Sequence, residues 1–195
     1  MNPASARQCG ITMRIPALRN VADQALDFGC TGAYKADGGA VLSMDFQYDI
    51  SQHYEGNQHI SFTIENVGID EKISSGKGSI FRNTPDITMP ILSAGAAYAN
   101  SNCGPSTMTS IKRIQGVNWH GWIAERSFGK NRPDCKLDKE YTSRYRCIQV
   151  MFGNDTMTAQ LWGVCLLRKK YMNVENGFSY DLFMDMLLSA RFVNE

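Results

Sequence analysis

The sequence predicts an α+β fold in which an antiparallel β-sheet is flanked by helices, an α/β/α sandwich. Two apolar runs, residues 145–152 and 157–167, flank the polar residues 153–156, an arrangement typical of a β-hairpin. Residues 60–64 alternate between apolar and polar side chains, which indicates a half-buried strand. Apolar residues recur at helical spacing over residues 178–190, which predicts a C-terminal amphipathic helix packed on the sheet.

The N-terminal part of the chain is expected to add two strands and a helix. Residues 11–15 alternate in polarity and predict the first strand, and residues 21–30 carry a weak helical pattern. A Gly-Gly turn then leads into a predicted strand over residues 41–48. The polar residues 51–58 that follow predict a loop.

The middle of the chain is expected to alternate between long loops and short strands. Residues 68–90 show little periodicity and include a Ser- and Gly-rich stretch, which is typical of a loop. The small apolar residues 91–99 fit a buried helix. Strands are predicted over residues 108–114 and 117–126, followed by a polar loop over residues 129–139.

These elements predict a single domain over residues 1–195. The strands of its sheet are expected near Ile11, Val41, Ile60, Met108, Val117, Tyr145 and Met157. The C-terminal helix is expected on one face of this sheet and N-terminal helical material on the other. The core is expected to include Ile60, Phe62, Ile148, Val150, Leu161, Leu182, Phe183, Met186 and Leu187.

Charge and hydropathy narrow the class of protein. The 20 basic and 19 acidic residues give a net charge of +1, so no electrostatic surface for nucleic acid is predicted. An apolar fraction of 43% is enough for a packed core. No apolar stretch approaches the roughly 20 residues needed to cross a bilayer, so no transmembrane segment is predicted.

The six cysteines of the chain are Cys9, Cys30, Cys103, Cys135, Cys147 and Cys165. None belongs to a C-x-x-C pair, and structural zinc sites usually use such close pairs, so neither a metal site nor a cofactor is predicted. An even, scattered set of cysteines is typical of disulfides in an oxidising compartment. We therefore expect a periplasmic or secreted protein whose leader peptide has been removed, because the N-terminus does not resemble a signal peptide.

The predicted hairpin restricts how these cysteines pair. If the two ends of its loop lie opposite each other, Cys147 lies opposite Trp162 and points away from Cys165, because side chains alternate between the faces of a sheet. Cys147 then needs another partner, and Cys135 is the nearest in sequence. The pairings that we expect, among the many that six cysteines allow, are Cys9–Cys30, Cys103–Cys165 and Cys135–Cys147.

Cys103 and His120 are the candidate residues for a catalytic alternative, a cysteine-dependent hydrolase. A cysteine nucleophile needs a lowered thiol pKa and a base within hydrogen-bonding distance. The sequence indicates neither, so a disulfide is the preferred role of Cys103 and no catalytic residue is assigned. His53 and His59 lie in or beside a polar loop and are interpreted as surface residues.

The segment Trp119-His120-Gly121-Trp122 places two tryptophans on opposite faces of a predicted strand. One of them can serve the core. The other, together with Arg126, is a candidate hot spot for a partner, although packing under a helix is the preferred interpretation. A carbohydrate-binding module that uses Trp119 or Trp122 is a further alternative.

The end of the chain resembles a known family. Residues 183–192, FMDMLLSARF, are similar to the F-x-x-I-L-x-S-x-x-F close of PsbP/Mog1-like proteins, with Leu187-Leu188 near the Ile-Leu of that pattern. The preceding hairpin is similar to the strand pair before that helix. The resemblance implies a sheet covered by helices and a binding role, as in immunity proteins that block secreted bacterial toxins. The six cysteines and the loop over residues 68–90 depart from the family pattern.

We therefore expect an exported, non-catalytic binding protein, in particular an immunity protein that occludes the active site of a toxin. The loops over residues 51–58, 69–85 and 129–139 are long enough to present a binding surface to a protein partner. The residues expected to contact that partner are Tyr54, Glu55, Lys77, Arg82, Trp122, Arg126, Lys130 and Arg132.

Overall fold

The computed structural model describes residues 3–14, 27–33, 38–47, 57–84, 87–92, 99–100, 104–105, 108–126, 145–167 and 179–193. The helices within these ranges are α1 (Pro3–Cys9), α2 (Ile69–Ser75) and α3 (Tyr180–Leu188). The strands are β1 (Ile11–Thr12), β2 (Asp27–Ala33), β3 (Gly39–Gln47), β4 (Asn57–Glu65), β5 (Phe81–Thr84), β6 (Ile87–Leu92), β7 (Ala99–Asn100), β8 (Gly104–Pro105), β9 (Met108–Gln115), β10 (His120–Arg126), β11 (Tyr145–Gly153), β12 (Thr158–Leu167) and β13 (Arg191–Phe192). Of the described helices, none has the length and hydropathy to pass through a membrane.

One antiparallel sheet of seven strands organises the molecule, in the order β2-β3-β4-β12-β11-β10-β9. It combines two meanders, because β2, β3 and β4 pair in sequence and so do β9, β10, β11 and β12. The meanders join where β12 pairs with β4, with Gln160 opposite Thr63. We call the face that carries Leu42, Phe62 and Phe152 the core face, and the other the second face.

The predicted α/β/α sandwich is wrong, because the described residues consist mainly of antiparallel strands with few, short helices. Residues 27–30, expected in a helix, belong to β2 and pair with β3. Residues 69–75, expected in a loop, form α2, and residues 91–92, expected in a helix, belong to β6. Pairing between strands therefore outweighs a weak helical pattern, since strand preference depends mainly on cross-strand packing.

Two predicted strands also differ from the structure. Residues Ile11–Thr12 form only a short strand, which pairs with β13 outside the main sheet. Val117 lies in the turn before β10, which begins at His120. The strands predicted near Val41, Ile60, Met108, Tyr145 and Met157 correspond to β3, β4, β9, β11 and β12.

Helix α3 covers the core face. Its N-cap is Ser179, whose hydroxyl oxygen accepts a hydrogen bond from the backbone N–H of Leu182 at 3.3 Å. The ring of Phe183 stacks on Phe62 at 6.4 Å, and Phe62 meets Phe152 edge-on at 5.9 Å. Of the expected core residues, Leu182 is half-buried and the others are buried: Ile60, Phe62, Ile148, Val150, Leu161, Phe183, Met186 and Leu187.

The turn between β9 and β10 holds the C-terminal segment against the core. The Asn118 side chain donates to the Phe192 carbonyl at 2.8 Å and accepts from the Phe192 N–H at 3.1 Å. Trp119 is buried, and its indole N–H donates to the Ala190 carbonyl at 2.8 Å. Since Phe192 also lies opposite Ile11 in the β1–β13 pair, both ends of the described chain meet at this turn.

Helix α2 packs on the second face, over β10 and β11. The apolar cluster beneath it contains Ile69, Ile73, Ile80, Phe81, Ala124 and Met151. The helix begins after Gly68, where a Cβ atom would lie 2.3 Å from the carbonyl oxygen of Asp155. Glycine at this position therefore allows the helix to approach the β11–β12 turn closely.

A buried polar network also holds α2 on the sheet. The Lys72 ammonium lies 2.5 Å from Glu65 Oε2 on β4. Gln160 Nε2 donates to Glu65 Oε1 at 3.2 Å and to the Gly78 carbonyl at 3.0 Å. Gln160 Oε1 accepts from the Ile80 N–H at 3.0 Å. Because each of these buried groups has a partner, the network fixes the position of α2 without an unsatisfied charge.

The β11–β12 hairpin has a different register from the one predicted. Phe152 lies opposite Ala159, and a β-bulge further along adds a residue on β12. Cys147 consequently lies opposite Cys165. The prediction that Cys147 lies opposite Trp162 is wrong, because it placed Phe152 opposite Met157 and assumed no bulge.

Cys9 and Cys30 form a disulfide with an S–S distance of 2.04 Å, the pairing predicted from the sequence. It joins α1 to β2, the edge strand of the described sheet. Beside it, Gln8 Nε2 donates to the carbonyl oxygens of Cys30 and Gly32, each at 3.1 Å. Cys147 is also disulfide-bonded. The other predicted pairings are Cys103–Cys165 and Cys135–Cys147. Cys103 and Cys135 lie outside the described residues.

Candidate functional site

The predicted partner-binding residues lie in different parts of the chain. Those outside the described residues are Tyr54, Glu55, Lys130 and Arg132. Arg82 belongs to β5, and Arg126 is the last residue of β10. Lys77 is exposed in the turn after α2. These positions do not identify one binding surface.

The tryptophans singled out in the sequence have structural roles. Trp119 is a core residue whose ring packs 4.7 Å from that of Phe152, so neither face of its indole is available for a ligand. Trp122 is half-buried and packs against the apolar cluster beneath α2. The interpretation of Trp122 as packed under a helix therefore describes its position, and Trp119 offers no stacking surface to a carbohydrate.

His120, the candidate base, lies at the start of β10 on the second face. Its Nε2 atom is 3.8 Å from Asp70 Oδ1, and its ring meets the Trp122 ring edge-on at 5.7 Å. A carboxylate beside an imidazole can orient it as a base, but the Asp70 side chain is 84% exposed and the pairing is correspondingly weak. Cys103, the candidate nucleophile, lies outside the described residues.

A metal site would need several donor side chains close together among those that the structure describes. Among them, no group of three or more His, Cys, Asp or Glu residues is placed to hold a metal ion. The ionisable side chains described here instead form pairs and small clusters with a structural role.

One such cluster lies where α3 begins. The Tyr180 hydroxyl is 3.3 Å from Glu125 Oε1, and Arg146 Nη1 is 3.5 Å from the same oxygen. The Arg146 guanidinium also lies over the Tyr180 ring, 4.4 Å from its centre. Burial raises the pKa of Tyr180, and the Glu125 carboxylate raises it further. We interpret this cluster as an anchor for the first turn of α3.

The most informative exposed side chain is that of Trp162, on β12. It is 43% exposed, although residues 158–161 on the same strand are buried. Leu161 faces the core, so Trp162 lies on the second face. A large aromatic side chain exposed on a central strand marks a candidate site of recognition.

Small hydroxyl side chains lie on the second face of β2, β3 and β4, the strands on one side of β12. Thr31, Val41 and Thr63 lie side by side across β2, β3 and β4, and Ser43 lies opposite Ser61. Val41 is 36% exposed and Thr31 is exposed, whereas the others are half-buried. We call the set formed by Thr31, Val41, Ser43, Ser61, Thr63 and Trp162 the open patch.

The bulge on β12 sits directly beside Trp162. Gln149 on β11 donates its side-chain amide to the Trp162 carbonyl at 2.6 Å. The next residue, Gly163, is exposed and adds no side chain beside the indole. Bulges often re-aim side chains next to binding sites, and here the Gln149 hydrogen bond holds the Trp162 carbonyl where the regular ladder is interrupted.

Sequence reasoning overlooked Trp162, although a signal for it was present. In β12 the residues Thr158, Gln160 and Trp162 form one alternating set, and Ala159 and Leu161 form the other. A tryptophan within the polar set lies on the face away from the core. The hot spot predicted from the sequence was instead the segment Trp119–Trp122, because two tryptophans so close together are unusual.

No protein-family model, curated protein or solved structure matches this chain. The candidate site therefore has to be interpreted from its own residues, and the feature that distinguishes it is the open patch around Trp162.

Proposed function

We propose that this chain is an exported, non-catalytic binding protein that recognises its ligand through the open patch. The observation that carries the proposal is the exposure of Trp162 on a strand whose other residues are largely buried. Tryptophan is among the residues most enriched in binding hot spots, since it brings a large contact area with few rotatable bonds.

The backbone beneath the open patch supports this proposal. On the core face of the same strands, Leu42, Phe62 and Leu161 are buried, so β3, β4 and β12 are held by the core. A ligand that contacts the open patch would meet side chains whose backbone is already ordered. Such preorganisation lowers the entropic cost of binding.

The cysteines support the exported location. The Cys9–Cys30 disulfide is compatible with a non-cytoplasmic compartment, and Cys147 is disulfide-bonded as well. We propose a periplasmic or secreted location on this basis. An immunity protein that inhibits a secreted bacterial toxin is one form that this function would take, and a toxin gene beside the gene for this chain would support that form.

Matched variants of the full chain test the proposal. Trp162→Ala removes the exposed indole, and Leu188→Ala removes a side chain of the same 43% exposure on α3, where it lies outside the open patch. Each immobilised variant is offered the envelope and culture-supernatant fractions of the source organism, and the retained proteins and glycans are identified. We expect a ligand retained by the wild type and by Leu188→Ala but lost by Trp162→Ala. Equal retention by all of them would contradict the proposal.

The hydrolase alternative has its own test. A catalytic Cys103 has to be a free, low-pKa thiol, so it would react quickly with iodoacetamide in the folded, unreduced protein. The binding function predicts no labelled Cys103 under these conditions. A fast reaction at Cys103 that a His120→Ala variant slows would favour the hydrolase.

A further inference from the structure

We infer that the ligand of the open patch is a neutral oligosaccharide, with the Trp162 indole as the surface on which one sugar ring stacks. This inference rests on the proposed function and names the chemical class of its ligand. It differs from the alternative expected from the sequence, which used Trp119 or Trp122, because the structure packs both of those rings against apolar neighbours.

The first argument is the shape of the exposed surface. A pyranose ring has faces of C–H groups and a rim of hydroxyls, so it combines an apolar face with a polar edge. An indole offers the complementary flat, apolar face together with one N–H donor. Trp162 is 43% exposed, and its carbonyl accepts a hydrogen bond from the Gln149 side chain, so the ring is available and its backbone is held at this point.

The second argument is the chemistry around the indole. Thr31, Ser43, Ser61 and Thr63 carry hydroxyls, each of which can donate one hydrogen bond and accept others. Neighbouring strands are about 4.8 Å apart, so hydroxyls on β3 and β4 are spaced on the scale of a sugar ring. The hydroxyls of a saccharide both donate and accept, and a surface of serine and threonine matches that requirement.

The third argument is charge. None of the residues of the open patch carries a formal charge. The adjoining row of the register on the same face holds Asp27, Asp45 and His59. At the other end of the patch, the carboxylate of Glu65 is paired with Lys72. A phosphorylated or acidic ligand would therefore find no arginine or lysine within the patch, and charged groups are the usual means of binding such ligands.

The composition also favours a saccharide over a protein partner. Hot spots between proteins are enriched in tryptophan, tyrosine and arginine, whereas serine, threonine and valine are under-represented there. In the open patch the residues that accompany the single tryptophan are serine, threonine and valine. That pattern fits one stacking residue within a hydrogen-bonding surface.

The experiment titrates the full-length, oxidised protein with uncharged oligosaccharides by isothermal calorimetry and by tryptophan fluorescence. The probes are cellohexaose, chitohexaose, mannohexaose and maltohexaose, with a hexamer of galacturonic acid as the charged comparison. We expect at least one neutral hexamer to bind and the charged hexamer to bind more weakly. Trp162→Ala should weaken binding at least about tenfold, and Leu188→Ala should leave it unchanged.

A second variant separates the ring from the fluorescence signal. Trp162→Phe retains an aromatic face but removes one of the three tryptophans. We expect this variant to keep measurable binding by calorimetry while the ligand-induced fluorescence change is lost. Circular dichroism and thermal unfolding of each variant verify that the sheet is intact.

Binding of no neutral hexamer, or binding that Trp162→Ala leaves unchanged, would overturn the carbohydrate inference. In that case the proteins and glycans retained by the immobilised variants test the broader proposal of a binding function. A protein retained in a Trp162-dependent manner would leave the binding function intact with a different ligand class. Retention that does not depend on Trp162 would remove both.

Discussion

The ammonium of Lys72 lies 2.5 Å from Glu65 Oε2, and the two side chains differ in exposure, at 7% for Lys72 and 29% for Glu65. The pair connects α2 to β4 on the second face. Its two members are therefore not equivalent, because water reaches the carboxylate more easily than the ammonium.

This difference predicts an asymmetric response to mutation. Glu65→Leu should lower the free energy of unfolding by about 3 kcal/mol, because it leaves a buried ammonium without its counter-charge. Lys72→Met should cost about 1 kcal/mol, since the remaining carboxylate is partly hydrated and the methionine chain fills the same space. Urea unfolding of both variants measures the two values, and equal losses would contradict the assignment of the pair as unequally buried.

The two hydrogen bonds between Asn118 and Phe192 predict a second effect on stability. Asn118→Ala should lower the free energy of unfolding by about 1–3 kcal/mol, because the backbone N–H and carbonyl of the buried Phe192 lose their partner. The neighbouring Val117→Ala is the control, since Val117 is 68% exposed and its change should stay within about 0.5 kcal/mol. If both variants unfold at the same urea concentration, the Asn118 contacts do not stabilise the C-terminal segment.

The position of Cys147 opposite Cys165 predicts the partner of a disulfide. Cys147 is disulfide-bonded, and the bulge in β12 places the Cα atom of Cys165 directly across the hairpin from it. We expect a non-reducing peptide map to contain a peptide pair joined through Cys147 and Cys165. A pair that joins Cys147 to Cys135 would instead favour the pairing expected from the sequence.

The cluster around Tyr180 predicts a change in stability at alkaline pH. Burial and the Glu125 carboxylate raise the pKa of Tyr180 above the ordinary value of 10.0, and Lys112, 3.7 Å from Glu125, and Arg146 also face this cluster. The folded state then retains the phenol proton at a pH where the unfolded state has lost it. This stabilisation is complete below the unfolded pKa and is lost as the pH rises through the folded pKa.

Replacing Tyr180 with phenylalanine isolates this contribution. Between about pH 9 and 11, the free energy of unfolding should fall more steeply for the wild type than for Tyr180→Phe. Chemical unfolding at each pH measures both slopes, and the other tyrosines contribute equally to the two proteins. Identical slopes would show that Tyr180 titrates as it does in the unfolded chain.

The parts of the fold that the sequence predicted well are those that depend on local patterns. Residues 145–152 and 157–167 form long apolar runs around a polar turn, and they correspond closely to β11 and β12. Ser179, the N-cap of α3, is a serine directly before an apolar pattern of helical spacing, which is a typical signal for the start of a helix. In both cases the residues that determine the element lie within or beside it.

The parts that it predicted poorly depend on packing outside the element itself. Residues 27–30 have a weak helical pattern, but they pair with β3, the next strand. Helix α2 is only 7 residues long, and its apolar positions pack in one cluster with β10, β11 and residues 80–81. Short elements of this kind depend on tertiary packing for most of their stability.

The candidate site was not recognised, although alternation alone places Trp162 on the face away from the core. What alternation does not encode is the register of the hairpin, in which Gly153 lies opposite Thr158 and a bulge adds one more residue on β12. Gly163 inside an apolar strand was an indication of the bulge, because glycine within a strand often marks one. Both the register at the turn and the bulge are needed to place Cys147 opposite Cys165.

Gln8 and the Cys9–Cys30 bridge also bear on self-association. An edge strand that exposes its carbonyls is a template for another chain, and β2 has the Cys30 and Gly32 carbonyls covered by the Gln8 amide. That cover is attached by a covalent bond that thiols can cleave. Under reducing conditions α1 would be free to leave, and strand addition between molecules would follow, which light scattering before and after thiol treatment would detect. The compartment in which the protein resides would thus determine whether this edge of the sheet stays covered.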